Sequence, residues 1–476
     1  MKSGTEATRP GFQAIARLPI HIVLLGFGSK AVVDTDIWGH MRFGLDFLAT
    51  HTLPTLDRYS FTSEQPWVNH EWASDALFAI AYAKGGLSGL VVLRVLSLIT
   101  ALVVLNRGLR QVSWPLRDGL IAAAVLTSMP LLGTIRPQIF SFPLYALTLV
   151  ALSEDAAWLP LVFVVWANLH GGWLIGFGAV VVRTLFGPTR RRLFVALGCA
   201  AATLVTPFGL WLWWSLANAI IRGWSDVVEW QPIWRLSFGI QDAVLWSVAA
   251  TALGFARYRK LPAATWQWVW ALCVAIAAAR VRRHLPFFSL TVVLLILSHL
   301  RGRGIDFSKQ QLTPQVLPIL IVPVAAACVM AWVLLRPTAT CLPDLPRVEP
   351  EPSAVRFIQR ANLRGRMLMW FNWGLYAIWQ VGDRMQVSYD NRRETVYSAR
   401  TVADHDAFYL GNAPDYPERI NADYAWLPAD LPPVAQMTAR GWHVLFRSPM
   451  SVILGKEDRP VVLDNTPAAA SCFPEP

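Results

Sequence analysis

Charge is what this sequence has little of. Only 15% of its 476 residues are Asp, Glu, Lys or Arg, against roughly 25% in a soluble globular chain. Cysteine is sparse too: there are five, with no pair at the spacing of a zinc site. Cys199, Cys273 and Cys328 lie inside apolar runs and read as packing residues, while Cys341 and Cys472 bracket the C-terminal region, where pairing would need an oxidising compartment. No internal repeat and no low-complexity segment is present. These absences exclude a soluble protein with a charged shell, a zinc module and a solenoid. The net charge of +11 does not imply nucleic acid, because most Lys and Arg sit in short loops between apolar runs, where they set topology. No nucleic-acid partner is expected.

What is abundant is apolar. Hydrophobic residues make up 54% of the chain, with 23 Trp, and mean hydropathy is +0.40. The runs are about 16 to 25 residues long and Trp clusters at their ends, the pattern of membrane helices with interfacial anchors. We read a polytopic α-helical membrane protein with about eleven spans: 18–33, 76–105, 118–133, 138–152, 157–169, 172–187, 193–216, 241–256, 264–280, 285–300 and 315–335. The second is interrupted by "GGLSG", residues 85–89. The first reads as an uncleaved span, since its charged lead is long and no clear small-x-small cleavage site precedes Asp34. Lys2, Arg9 and Arg17, then Arg107, Arg110 and Arg117, Arg183 with Arg190 to Arg192, and the later basic loops place the N-terminus inside and the C-terminus outside. Residues 1–335 are thus a membrane domain with a large first outside loop, 34–75, and residues 336–476 an extracytoplasmic α/β domain with strand-like runs at 385–389, 442–446 and 451–455.

On that topology the unusual polar residues share one side. "DTDIWGHMRFG" opens the first outside loop with Asp34, Asp36, His40 and Arg42, and its apolar positions Ile37, Met41, Leu45 and Leu48 predict a short helix along the interface. "PWVNHEWASD" closes that loop with His70 and Glu71. "TIRPQ" supplies Arg136 and Gln138, "WANLHGGW" supplies Asn168 and His170, "DVVEWQPIW" supplies Glu229, and "ARVRRHLPFF" supplies Arg280, Arg283 and His284. Polar groups at span ends are costly unless they pair or face a cavity. Arg grips phosphate in a planar fork, and carboxylates deprotonate a nucleophile or hold a divalent cation. Both together suit a lipid-phosphate donor and an acceptor outside the membrane.

This arrangement resembles the GT-C superfamily of integral-membrane glycosyltransferases. Asp36, Trp38 and Arg42 are similar to the Asp-Pro-Trp-Phe-Asn-Tyr-Arg run of the oligosaccharyltransferase catalytic subunit. "WFNWG", 370–374, resembles that family's Trp-Trp-Asp-Tyr-Gly motif, with Asn372 in place of Asp and Trp373 in place of Tyr. The departure argues against glycosylation of Asn sequons. The order of "DTDIWGH", "PWVNHEW", "RPQ", "WANLHGGW" and "WGLYAIW" looks closer to a bacterial GT-C-like group whose reactions are mostly unassigned.

The resemblance implies transfer of a sugar from a polyprenyl-phosphate carrier to a glycan, lipid or protein acceptor outside a bacterial inner membrane. Asp36 would be general base or ligand of Mg²⁺ or Mn²⁺, with Asp34, His40 and Glu71 assisting. Arg42, His70, Arg136, Gln138, Asn168, His170, Glu229, Arg280, Arg283 and His284 would bind substrate or phosphate, and Trp370, Asn372 and Trp373 the acceptor. Each has a plainer alternative: Asp34 and Asp36 as helix caps, Arg42 as a partner of Asp46 one turn on, Asn168 and His170 as satisfiers of span-end carbonyls, and "WFNWG" as domain core. A transporter of a lipid-linked precursor and a non-catalytic membrane scaffold are the competing functions.

Overall fold

The computed structural model describes residues 11–29, 34–222, 230–235, 262–300, 317–340, 350–464 and the short pieces 246, 249–250, 254, 258, 342–343 and 472–473. The chain divides into two units, neither continuous in sequence. One comprises 1–31, 91–209 and 223–340; the other comprises 32–90, 210–222 and 341–476. Glu229 and Cys341 lie outside the described residues, as does most of the expected span 241–256.

The first unit is helical. Helix α1 (Gly11–Ser29) packs along Leu317–Thr340. Trp114–Thr127 packs on α1, and Gln138–Ser153, Leu159–Leu169, Trp173–Leu185, Arg190–Ala202 and Thr265–Arg280 are further described helices of this unit. Some buried polar groups between these helices pair with one another: Tyr145 and Thr291 hydroxyls lie 2.6 Å apart, and the Trp270 indole donates to Tyr145 over 2.9 Å. Pairing of this kind is needed where no water competes.

Chain breakers decide where apolar runs stop being one helix. The run 193–216, expected as a single span, is two helices, Arg190–Ala202 and Leu210–Arg222, and the second belongs to the other unit. Pro207 lies between them and has no N–H to give a helix, and Gly209 takes φ +51°. The run 285–300 changes type along its length: α-helical over Leu285–Thr291, π-helical over Val292–Ile296, then 3₁₀ over Leu297–His299. The expected span 118–133 ends at Thr127 and resumes as one turn, Met129–Leu132. Cys199 is buried as expected, but Cys273 and Cys328 are exposed on their helices rather than packed.

The second unit contains α2 (Asp36–Thr50), the start of α3 (Trp72–Gly108) and the C-terminal α/β fold. Helix α3 is the one described helix long and apolar enough to cross a membrane; five shorter apolar helices have 10–17 residues. It bends at Gly86, whose φ of +54° no ordinary helix contains. Six strands form a mixed sheet in the order β3-β2-β4-β6-β5-β7: β2 is Gly365–Met369, β3 Met385–Val387, β4 Tyr424–Pro428, β5 His443–Arg447, β6 Ser451–Gly455 and β7 Val462–Leu463. Strands β2, β3 and β4 run parallel, and β6 is antiparallel to both β4 and β5. A two-stranded pair, β1 (Leu342–Pro343) with β8 (Cys472–Phe473), is separate. The first loop joins this sheet. Ser60 bridges Val387 in parallel, Phe61 N–H donates to Val387 O over 3.1 Å, and Val387 N–H donates to Tyr59 O over 3.0 Å.

Candidate active site

The sequence D36-I-W-G-H40 makes sense once α2 is seen in its own unit. Asp36 and His40 stand one turn apart, while Trp38 and Gly39 face inward. Trp38 meets Tyr376 edge-on at 5.1 Å between ring centres and Trp379 at 6.1 Å. At Gly39 a Cβ would come within 2.8 Å of Leu375. Helix Gly374–Val381, the "WGLYAIW" stretch, is thus what α2 packs on. On its next turn Gly44 lies against the backbone carbonyl of Asp75, an approach that leaves no room for a side chain.

That approach sets up a buried pair. His40 Nδ1 lies 2.7 Å from Asp75 Oδ1; the two side chains are 12% and 2% exposed. The Asn69 amide donates to the other Asp75 oxygen over 2.8 Å. Burial alone would lower the His40 pKa, but the charge and hydrogen bond of Asp75, with the charges of Glu71 and Asp36 behind them, raise it to about 9. His40 is therefore an imidazolium at neutral pH. Its Nε2 has no hydrogen-bond partner among the described residues.

Asp36 is fixed from two sides. Its own N–H donates to Asp34 Oδ1 over 3.0 Å, an Asx-type turn just before the helix whose N-cap is Thr35. The Asn391 amide donates to Asp36 Oδ1 over 2.9 Å. The next residue in the chain, Arg392, has a guanidinium that pairs with Asp57 (2.9 and 3.0 Å) and Asp390 (2.7 and 3.0 Å). The same group lies over the rings of Trp67, Phe43 and Tyr59 at 4.8, 4.9 and 5.5 Å. Burial would lower the Arg392 pKa, but Asp390 and Asp57 hold it well above its ordinary value. Asp75, Asn391 and this Arg–carboxylate cluster were not among the residues expected from sequence.

Other expected residues in this unit are more tied. Arg42 pairs with Asp46 at 3.0 Å and Asp383 at 2.6 Å. His70 Nε2 lies 3.6 Å from Glu71. Trp373 is buried against Trp426, Trp370 packs edge-on to Tyr409 at 4.7 Å, and Asn372 is half-buried in the 3₁₀ turn between them.

The helical unit holds the remaining expected residues in two groups. In one, Ser141 Oγ lies 2.7 Å from His170 Nδ1 and accepts from the Trp166 indole over 2.8 Å. Gly172 N–H also donates to His170 Nδ1, over 3.0 Å, which fixes that nitrogen as an acceptor and leaves the ring proton on Nε2. A Cβ at Gly172 would lie 2.6 Å from Ser141 Oγ and 2.8 Å from His170 Nδ1, so the glycine of "LHGGW" guards this pair. Asn168 donates to the carbonyls of Val164 and Val205, both at 2.8 Å. Arg136 and Gln138 open the helix that carries Ser141, and Gln138 is buried with its Oε1 unpaired among the described residues. In the other group, Arg282 N–H donates to Gln231 O over 3.2 Å, Ile233 N–H to Ala279 O over 3.1 Å, and Arg283 lies 5.8 Å from the centre of the Trp230 ring. Arg280 is exposed, and burial pushes the His284 pKa down to about 4.

No family model matches the chain, and no curated protein matches it in sequence. Solved structures do. The chain is similar to the Archaeoglobus fulgidus oligosaccharyltransferase in its apo form over 95% of its own length and 75% of that chain, with TM-score 0.57 and 10% identity. It is similar to the arabinofuranosyltransferase AftD from Mycobacteria over 95% of its length, but spans only 42% of that chain, with TM-score 0.51 and 15% identity. The fold is GT-C-like. In this GT-C-like fold, among the described residues, no three His, Cys, Asp or Glu side chains gather to hold a metal ion. Mg²⁺ or Mn²⁺ at Asp36 would need substrate oxygens to complete its ligand set.

Proposed function

We propose that the protein is a GT-C-type membrane glycosyltransferase that moves a sugar from a polyprenyl-phosphate carrier to an extracytoplasmic acceptor. The observation that carries this reading is Asp36 held by Asn391 one helical turn from a protonated His40. Asp36 takes the proton of an acceptor hydroxyl. The acceptor oxygen then bonds to the anomeric carbon as the bond from that carbon to the phosphate oxygen breaks. The electron pair leaves with the phosphate. His40, charged and with Nε2 uncommitted among the described residues, is suited to hydrogen-bond a phosphate oxygen and stabilise the charge that develops there. Arg283 and Arg136 remain proposed phosphate contacts on the chemistry of guanidinium alone. The reading places the chain in a bacterial inner membrane through about eleven spans, N-terminus inside and C-terminal domain outside, on its apolar periodicity and basic loops.

The test is release of free polyprenyl phosphate from a panel of polyprenyl-phosphate and -diphosphate sugars in proteoliposomes. Wild type should release it from at least one donor. Asp36→Asn should lose on the order of 10²- to 10⁴-fold in rate. Equal release by both would remove Asp36 as base, and silence from wild type across the panel would overturn the donor class.

A further inference from the structure

Within the helical unit two cavities adjoin at one end of the helices. One, of about 350 Å³, is lined by Arg107, Arg110, Arg183 and Glu154 among others. The other, of about 240 Å³, is lined by Arg183, Arg191, Arg192 and Asp155. Arg183 belongs to both. The carboxylates are already engaged: Arg107 pairs with Glu154 at 2.9 Å, and Asp155 takes Arg192 at 2.7 Å and Arg183 at 3.1 Å. Five guanidinium groups against two carboxylates leave a surplus of three positive charges around a concave space.

Arg183 sharpens the point. Its side chain is only 13% exposed, its Cζ lies 5.0 Å from the centre of the Trp266 ring, and its Nε–H is buried with no partner among the described residues. A buried, unmatched donor on a cation is costly and signals a missing acceptor. Next to the second cavity the helix ends present apolar side chains outward: Leu185 and Phe186 after Arg183, and Leu193, Phe194 and Leu197 after Arg191 and Arg192. A positive cavity beside an exposed apolar strip matches a ligand with an anionic head and a hydrocarbon tail.

We propose that these cavities bind the phosphate headgroup of an anionic membrane lipid, with Arg183 as the central contact. The proposal stands apart from the glycosyl-transfer reading and uses none of its residues.

The test uses full-length protein, delipidated in detergent and titrated with phosphatidylglycerol, phosphatidylcholine or glycerol 3-phosphate, with bound molecules counted by native mass spectrometry. Phosphatidylglycerol should bind at least tenfold more tightly than phosphatidylcholine. Arg183→Gln should weaken it at least tenfold. The exposed Arg191→Gln, which does not touch the buried pairing, should weaken it about threefold and keeps the test valid if Arg183→Gln folds poorly. Equal binding of the two lipids, or unchanged phosphatidylglycerol affinity in Arg191→Gln and in a folded Arg183→Gln, overturns the proposal. Glycerol 3-phosphate binding as tightly as phosphatidylglycerol would assign the cavities to a soluble phosphate ester and overturn the lipid source.

Discussion

In the unit that carries Asp36, buried polarity is held by full charges: Arg392 between Asp57 and Asp390, and His40 on Asp75. In the helical unit the buried contacts at the expected residues are neutral: Ser141 with His170 and the Trp166 indole, and Tyr145 with Thr291 and the Trp270 indole. Its ion pairs, Arg17 with Asp118 and Arg192 with Asp155, lie near helix ends instead. The buried charges around Arg392 and His40 are each matched by an opposite charge in close geometry, which is what a buried ion requires, whereas a hydroxyl or indole satisfies its partner without a desolvated ion. The His40–Asp75 pair should therefore respond to pH above 6.5, and the hydroxyl–indole contacts should not.

Three substitutions sharpen this contrast, from largest effect to smallest. Arg392→Met leaves Asp57 and Asp390 buried without their cation, and should cost about 3 to 5 kcal/mol, read as early proteolysis of loop 34–75 in an otherwise intact helical unit. His40→Gln tests the charged pair by pH. The folded pKa of about 9 stands above the ordinary 6.5, so the stabilisation is fully present below 6.5 and is lost as pH rises through 9. Wild type should therefore lose on the order of 2 to 3 kcal/mol between pH 6 and pH 10, a slope that thermal unfolding of His40→Gln should lack. If His40 holds the donor phosphate, the transfer rate of wild type should fall over the same interval. Ser141→Ala removes the acceptor of the buried Trp166 N–H and one of the two donors to His170 Nδ1, should cost about 1 to 2 kcal/mol, and should do so equally at pH 6 and pH 9. A pH-dependent cost there would break the contrast.

Much of this was legible in the sequence, for reasons particular residues make plain. The spacing of Ile37, Met41, Leu45 and Leu48 marked α2, observed over Asp36–Thr50, because helical periodicity is a local signal. The runs 385–389, 442–446 and 451–455 became β3, β5 and β6 within a residue or two. Strand β2 was missed because three of its five residues are buried in succession and show no alternation. The break at Pro207 and Gly209 was hidden because hydropathy continues across it. Asp75 stood inside a quoted motif, yet only the approach at Gly44 reveals its partner as His40. Asn391 and Arg392 gave no signal at all, since their partners Asp36 and Asp57 are 355 and 335 residues away.

That last separation has a consequence in time. The aromatic and carboxylate seat for Arg392 is synthesised first, and the ribosome must add 335 more residues before its occupant exists. At about 5 to 20 residues per second this is roughly 17 to 67 s, far longer than a loop needs to collapse. Through that interval Asp57, Phe43, Tyr59 and Trp67 must wait without the group that neutralises and covers them. Loop 34–75 should therefore gain its full protease resistance only after residue 392 has been made.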